Sequence, residues 1–534
     1  MNLSATNIFP TPDIAWGPLT PILIVLGAAA LGVLLEAFVR TPAARRMYQF
    51  QLSIVTVVAA LIAVVWRWVA LEGDGVVVFK SMILLDRQAL AWQFLILIFA
   101  LGGVLLFADK GREGEDAFAP LGSVAPGSAE ETVARAKGMY LTEAFPLVLF
   151  ATGGMMLFAT VNDLLFLFVA LELFSLPLYI LVALARRRRL LSQEASLKYF
   201  LLGAFSSAIF LFGVALLFGA TGVTGMNELG GELAKNMPQR SALILLGVFM
   251  VVVGLLFKIG AVPFHFWVPD AYQGAPSPVT AFMAAATKAA AVAALARLSY
   301  LVLFRLAWEL NWIIWTVAIA SMVFGTALAI VQTDVKRMLA YSSIAHAGFI
   351  LVAFAGFSPS ALSALPFYMA TYGLATLGAF AVITQVREVT PDGAIGAEAT
   401  RLGQWAGLGK SSPVLAVAMM IFLLSFAGIP LTAGFMGKFV AFRAAIEAGA
   451  WPLVLVAVLA SAAAAFFYVR LAVLMFFTDA PTDAAPHVVV RSTTLGRGVA
   501  IAMAIAIIVL GVFPSWALEL AHSAGILLAP ATGG

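Results

Sequence analysis

The chain has 534 residues, of which 63% are hydrophobic and 11% charged, with a net charge of +4. Soluble domains carry about 45–50% apolar and about 25% charged residues, and the mean hydropathy here is +1.03. That composition excludes a soluble enzyme, a disordered scaffold and a nucleic-acid-binding domain. With no cysteine and four histidines, it also excludes disulfides, Cys-ligated zinc and Cys-held iron–sulfur clusters.

A membrane helix needs about 20 mostly apolar residues. Runs of that kind begin near Leu19, Phe50, Gln88, Thr142, Leu164, Ala195, Ala242, Ser277, Ile313, Arg337, Ala361, Pro413, Pro452 and Gly498. The sequence therefore predicts an all-α integral membrane protein of about 14 spans. The first ionisable side chain is Asp13, and Arg40, Arg45 and Arg46 follow the first span. This is a poor signal peptide and a good outside-to-inside first span. Both termini are then expected outside. The Arg186–Arg189 run, Lys336 and Arg337 fall in inner loops, and the sparser Arg67, Lys80, Arg87 and Arg305 in outer ones.

Some charges lie where composition disfavours them. A charge at the centre of a spanning helix costs about 2.5–3.5 kcal/mol on insertion scales. Glu172 (LFVALELFSLPLYILVAL), Lys258 (VVVGLLFKIG), Lys288 (FMAAATKAAAVAALARL) and Lys438 (LTAGFMGKFVAF) are such residues. They read as a proton or ion pathway. Lys198, in EASLKYFLLG, is either part of it or snorkels to the interface, as Arg297 and Arg470 are expected to do.

Lys258 precedes a break, IGAVPFHFWVPD, and Lys438 follows another, FAGIPLTAGFMG. Proline and glycine free backbone groups, tolerated at membrane depth where they line a cavity. Broken helices beside ionisable residues are the usual form of a transporter site. The breaks fall in spans seven and twelve, an odd shift that reverses direction. Helices 4–8 and 9–13 are thus expected to be two inverted five-helix repeats. That alignment sets Glu172 against His346. The expected units are 1–110 (helices 1–3), 141–305, 311–478 and 496–534 (helix 14). A water-bridged chain Lys258 → Lys288 → His346 → Lys438 could carry protons, since lysine readily changes its pKa on burial and arginine does not deprotonate. His346 is a relay or a satisfied core histidine. His265 is a relay or a cap for broken-helix carbonyls. Asp270 and Tyr272 read as structural or as part of the way in. GLGKSS lacks the first glycine of a phosphate loop, with Gln404 in its place.

The stretch FKIGAVPFHFWVPDAYQGAPSPVTAFMAAATKAA (Phe257–Ala290) resembles the core signature of the proton-conducting antiporter-like membrane subunits. QTDVKRMLAYSSIAHAGFI (Gln332–Ile350) and FAGIPLTAGFMGKF (Phe426–Phe439) agree with it. LELFSLPLYILVAL and EASLKYFLLGAFSSAIFLFG look most like the subunit N branch in bacterial NADH:quinone oxidoreductase, respiratory complex I. The resemblance covers roughly 143–477. It implies a proton-translocating subunit of that translocase in the bacterial inner membrane, with no redox site of its own. NADH, FMN, iron–sulfur clusters and quinone would belong to partner subunits. Neighbours would be the antiporter-like subunit M, the small subunit K and the lateral helix of subunit L. Glu172, Lys258, Lys288 and Lys438 match the family's lysines and glutamate of helices five, seven, eight and twelve. Lys198 matches a lysine starting helix six, and His346 a frequent central histidine. Lys438 speaks against subunit M, whose helix twelve carries glutamate, and the missing long lateral helix against subunit L. The alternatives are a subunit of a multi-subunit sodium/proton antiporter or of an energy-converting hydrogenase. The loop 110–140 departs from the pattern and has no assigned role.

Overall fold

The computed structural model describes residues 15–73, 75–79, 81–110, 116–119, 128–137, 139–389, 395–479, 488–490 and 493–525. Asp13, Lys80 and parts of the 110–140 loop lie outside the described residues. The helices are α1 (Trp16–Phe38), α2 (Pro42–Ala70), α3 (Arg87–Ala108), α4 (Ala129–Ala136), α5 (Ala144–Phe158), α6 (Leu164–Val182), α7 (Arg189–Thr221), α8 (Met226–Ile259), α9 (Trp267–Gly274) and α10 (Ser277–Leu301). They continue as α11 (Ala307–Ile330), α12 (Val335–Phe354), α13 (Ala361–Gln385), α14 (Leu408–Ser411), α15 (Pro413–Ala427), α16 (Ala433–Glu447), α17 (Trp451–Phe477), α18 (Thr494–Val512) and α19 (Ser515–Ala524). Twelve are long and apolar enough to span a bilayer, and α5 and α15 are shorter apolar helices. Together they account for the expected spans.

Short strands, which hydropathy did not predict, close the loops. β1 (Gly75–Val78) pairs with β2 (Ile83–Asp86). β3 (Val386–Val389) lies between β4 (Ile395–Glu398) and β5 (Val488–Val490). Backbone groups at the end of a span must find partners, and pairing supplies them.

The core is built around α10, whose spanning window is buried throughout, with α12 and α13 nearly so. Its sequence AAATKAAAVAALA explains this, because small side chains let helices close in from every side. α1, α2, α17 and α18 form the periphery and expose large apolar residues such as Leu34, Ile62, Leu459 and Ile505. Lys288 thus sits on the most enclosed helix.

Two signatures recur along the chain. Asp163 caps α6 by accepting from the Phe166 N–H (2.9 Å), and Asp334 caps α12 by accepting from the Arg337 N–H (3.0 Å). Each also forms an antiparallel bridge, to Gly225 and to Arg401. The breaks are closed alike: Gly260 (φ 79°) ends α8 and Gly428 (φ 81°) ends α15. At both, the N–H of the glycine and of the next residue return to the last turn, a cap that needs a left-handed residue. Counting from the two aspartates shifts the expected correspondence by one turn. Ser343 occupies the place of Glu172, and His346 that of Ser175.

Two arginines differ from each other. Arg470 is half-buried and donates to the Ile330 and Gln332 carbonyls at 3.0 and 3.2 Å, at and just past the end of α11. Arg297 does not snorkel: it is 1% exposed and donates to Asp86 at 2.8 Å. A carboxylate 211 residues away meets it inside the protein, which a scan of one helix cannot foresee.

Candidate functional site

Lys258 lies in the last turn of α8, before the break, and is 3% exposed. Its Nζ donates to Ser175 Oγ (2.8 Å) and Tyr179 Oη (3.3 Å), both on α6. Glu172, one turn earlier on α6, is half-buried, with Oε1 lacking a hydrogen-bond partner among the described residues. The lysine is thus held by hydroxyls, with the carboxylate beside them.

Lys288 donates to the carbonyl of Ser343 (2.5 Å) and to its Oγ (2.6 Å). Ser343 Oγ also meets Tyr272 Oη at 3.2 Å. Lys288 Nζ is 5.2 Å from the ring centroid of Tyr372, and His346 is 4.8 Å from the same ring. Tyr372 therefore bridges the space between them. His346, one turn beyond Ser343, contacts Tyr368 Oη through Nδ1 (2.8 Å) and Tyr468 Oη through Nε2 (3.4 Å). Tyr468 in turn pairs with the Ser342 hydroxyl.

Lys438 lies beyond the second break, on α16, and reaches back across it. It donates to the Phe426 carbonyl (2.8 Å), the Ala427 carbonyl (3.1 Å) and Ser461 Oγ (2.7 Å). These carbonyls form the negative end of α15, a natural seat for a cation. Phe426 also packs against His346, 5.6 Å between centroids. Lys258, Lys288, His346 and Lys438 are all 3–6% exposed.

Two sequence candidates stand apart. Lys198 is 46% exposed and pairs with Glu194 (2.6 Å) and Asp270 (3.0 Å). Asp270 also accepts from Arg337 at 2.9 Å, so this surface group ties α7, α9 and α12 together. His265 lies in the first break, stacked on Phe266 at 4.6 Å. Its Nδ1 is buried without a partner among the described residues. The Arg186–Arg189 run is more than an anchor. Arg186 pairs with Glu131 of α4 at 2.6 Å, Arg187 donates to the Ile395 carbonyl, and Arg188 to Thr400. The extra loop is thereby fastened to the arginines. Lys410 of the GLGKSS stretch pairs with Asp479 at the surface.

Charge counting missed Ser175, Tyr179, Ser343, Tyr372, Tyr468 and Ser461, because hydroxyls are common in apolar helices. One signal was legible: Ser175 and Tyr179 follow Glu172, and Ser342 and Ser343 precede His346, at the three-to-four-residue spacing of one helix face.

Buried lysines and a histidine, each with its own polar partners, set among helices of spanning length with two breaks, mark a multi-pass membrane protein with ionisable groups in its interior. Comparison with known proteins sharpens this. The family described as NADH:quinone oxidoreductase/Mrp antiporter, transmembrane, matches residues 161–464. NADH-quinone oxidoreductase subunit N of Beutenbergia cavernae is 54% identical, over 85% of this chain and 86% of the relative. The subunit N of Rhodococcus opacus is 48% identical over 98% of both. Among solved structures, a chain of respiratory complex I from Thermus thermophilus with bound aureothin superimposes with a TM-score of 0.73 at 32% identity. It covers 93% of this chain and 98% of that one. A chain of the Mrp complex from Dietzia sp. gives 0.78 at 24% identity, covering 97% and 98%, a likeness of fold alone. The chain belongs to the NADH:quinone oxidoreductase/Mrp antiporter transmembrane family, and its curated relatives at 46–54% identity carry the name subunit N.

Proposed function

We propose that this chain is the subunit N-type proton-translocating subunit in the membrane arm of NADH:quinone oxidoreductase. The observation that carries the reading is the set Lys258, Lys288, His346 and Lys438, each enclosed in protein and each bonded to a hydroxyl rather than to a carboxylate. An ammonium fixed by a carboxylate keeps its proton. One fixed by hydroxyls can release it, because a hydroxyl accepts on its oxygen while passing on its own hydrogen. Glu172 modulates the first lysine. When its carboxylate swings toward Lys258 the ammonium is held, and when it withdraws the proton can leave through Ser175. Lys288 receives it, Tyr372 spans the space to His346, and Lys438 releases it. Lys198 and His265 serve the surface network and the break.

The same reading takes 141–305 and 311–478 as the inverted repeats, with 1–110 and 496–534 packed around them, and both termini on the outer face of a bacterial inner membrane. Redox cofactors and quinone belong to partner subunits, and subunits M, K and L are the expected neighbours. The sodium/proton antiporter and hydrogenase alternatives share the fold, but the relatives of highest identity above carry the subunit N name.

The test is Lys288→Met in the assembled complex, in sealed membrane vesicles. NADH oxidation by a soluble artificial acceptor should persist, showing an intact redox arm, while proton translocation is lost. Translocation at the unmodified rate would end the relay assignment.

A further inference from the structure

We infer that Glu398, on the hairpin between α13 and α14, is a proton-collecting residue that feeds Lys288; this rests on the relay reading above. The carboxylate is 14% exposed, in a cleft with an internal volume of ≈ 50 Å³ also lined by Arg187, Arg188, Gln273, Lys336 and Arg387. That is room for several waters, and the cleft reaches the surface at the exposed Arg188.

From Glu398 a polar line runs inward. Its Oε2 accepts from Ser277 Oγ at 2.6 Å, and Ser277 is the first residue of α10, the helix of Lys288. Ser277, Thr280 and Lys288 lie three and then eight residues apart, one stripe of that helix. Thr280 Oγ1 donates to the Tyr272 carbonyl at 3.3 Å. The Tyr272 hydroxyl meets Ser343 Oγ, which holds Lys288. Eleven residues separate Ser277 from Lys288, about 16 Å along the helix at ~1.5 Å each. The hydroxyls of Ser277, Thr280, Tyr272 and Ser343 furnish steps along that span.

Among the described residues, the charged groups facing the carboxylate are Lys336 at 3.3 Å and Arg387 at 4.0 Å, while Arg188 donates to the Glu398 carbonyl. Lys336 is also anchored by the Ala275 carbonyl at 2.8 Å. It positions the carboxylate over Ser277. In the transfer, a proton from the cleft converts the Glu398 carboxylate to the acid. The acid then donates to Ser277 Oγ, whose hydroxyl stops donating to the carboxylate and turns its hydrogen inward; the acid O–H bond breaks as that hydrogen passes on. Lys288, as a neutral amine, gains the proton and becomes ammonium. No electrons change place.

The test uses the assembled complex in vesicles, reading proton translocation beside NADH oxidation by an artificial acceptor. Glu398→Gln keeps volume and hydrogen bonding but cannot titrate; translocation should fall about tenfold or more. Glu398→Asp should retain a substantial part. The double variant Glu398→Gln/Lys336→Met removes the orphaned cation as well. If the carboxylate only balanced Lys336, the double variant recovers, and the inference fails. If it collects protons, the double variant stays slow. Ser277→Ala leaves every charge in place and should slow translocation several-fold; an unchanged rate also overturns the inference. Loss in Lys288→Met with normal Glu398→Gln would refute this step alone, whereas normal translocation in both would refute the relay.

Discussion

Lys438 offers the sharpest separation between holding a charge and passing a proton. Three acceptors surround its Nζ: the Phe426 and Ala427 carbonyls and Ser461 Oγ. Ser461 also donates to the Ala427 carbonyl at 3.2 Å, so Lys438→Met orphans chiefly the Phe426 carbonyl. That costs about 1–3 kcal/mol. Lys438→Arg keeps the cation and can serve both carbonyls, but it adds bulk beside Gly428, where a Cβ would lie only 3.3 Å from Nζ. Overpacking of this kind costs about 1–3 kcal/mol. The two variants should therefore be comparably stable. Their proton chemistry separates two explanations. A relay needs the amine to deprotonate, which arginine does not do, so both variants should lose about 100-fold or more of the translocation rate. A residue that only neutralises the end of α15 would tolerate arginine and fail with methionine. The assay is dye-reported acidification in sealed vesicles, with NADH oxidation by an artificial acceptor as the check on assembly. Translocation by Lys438→Arg at the unmodified rate would refute the relay role.

Other consequences follow from the geometry. Arg297→Met leaves Asp86, which is 0% exposed, as an unpaired buried charge. A loss of about 3–5 kcal/mol is expected, read as a lower melting temperature in detergent. Adding Asp86→Asn, which keeps the cap on the Ala89 N–H, should recover most of it. Gly428→Ala forces a left-handed residue against Lys438, with Cβ 3.0 Å from Cδ, and should lower both stability and translocation. Gly449→Ala, at φ +80° with open space around it, should cost only the backbone's about 1–2 kcal/mol and leave translocation intact. Burial pushes the Glu398 carboxyl up, but Lys336, Arg387 and the Ser277 hydroxyl outweigh it and hold it below 4.5. A lowered value means that stabilisation is present above the ordinary glutamate range and disappears as pH falls through the folded one. Melting temperatures of the unmodified protein and Glu398→Gln should thus converge on acidification; a constant difference down to the lowest pH reached would contradict this.

Where the residues themselves carry the physics, the sequence was sufficient. An apolar run of spanning length has few alternatives to a membrane helix, so the spans and the two breaks could be read from hydropathy, Gly260, Pro263, Gly428 and Pro430. A lysine in such a run is conspicuous because its cost is local, and Lys258, Lys288 and Lys438 were found for that reason. Partnership is not local. Lys258 is bonded to Ser175 and Tyr179 rather than to Glu172, and Arg297 turns inward to Asp86, 211 residues away. The extra loop is fastened by Glu131 to Arg186, and Glu398 comes to lie on Ser277. Each of these depends on which helix faces meet. That is decided by packing of the whole bundle around the alanine-rich α10, and no periodicity within one helix encodes it.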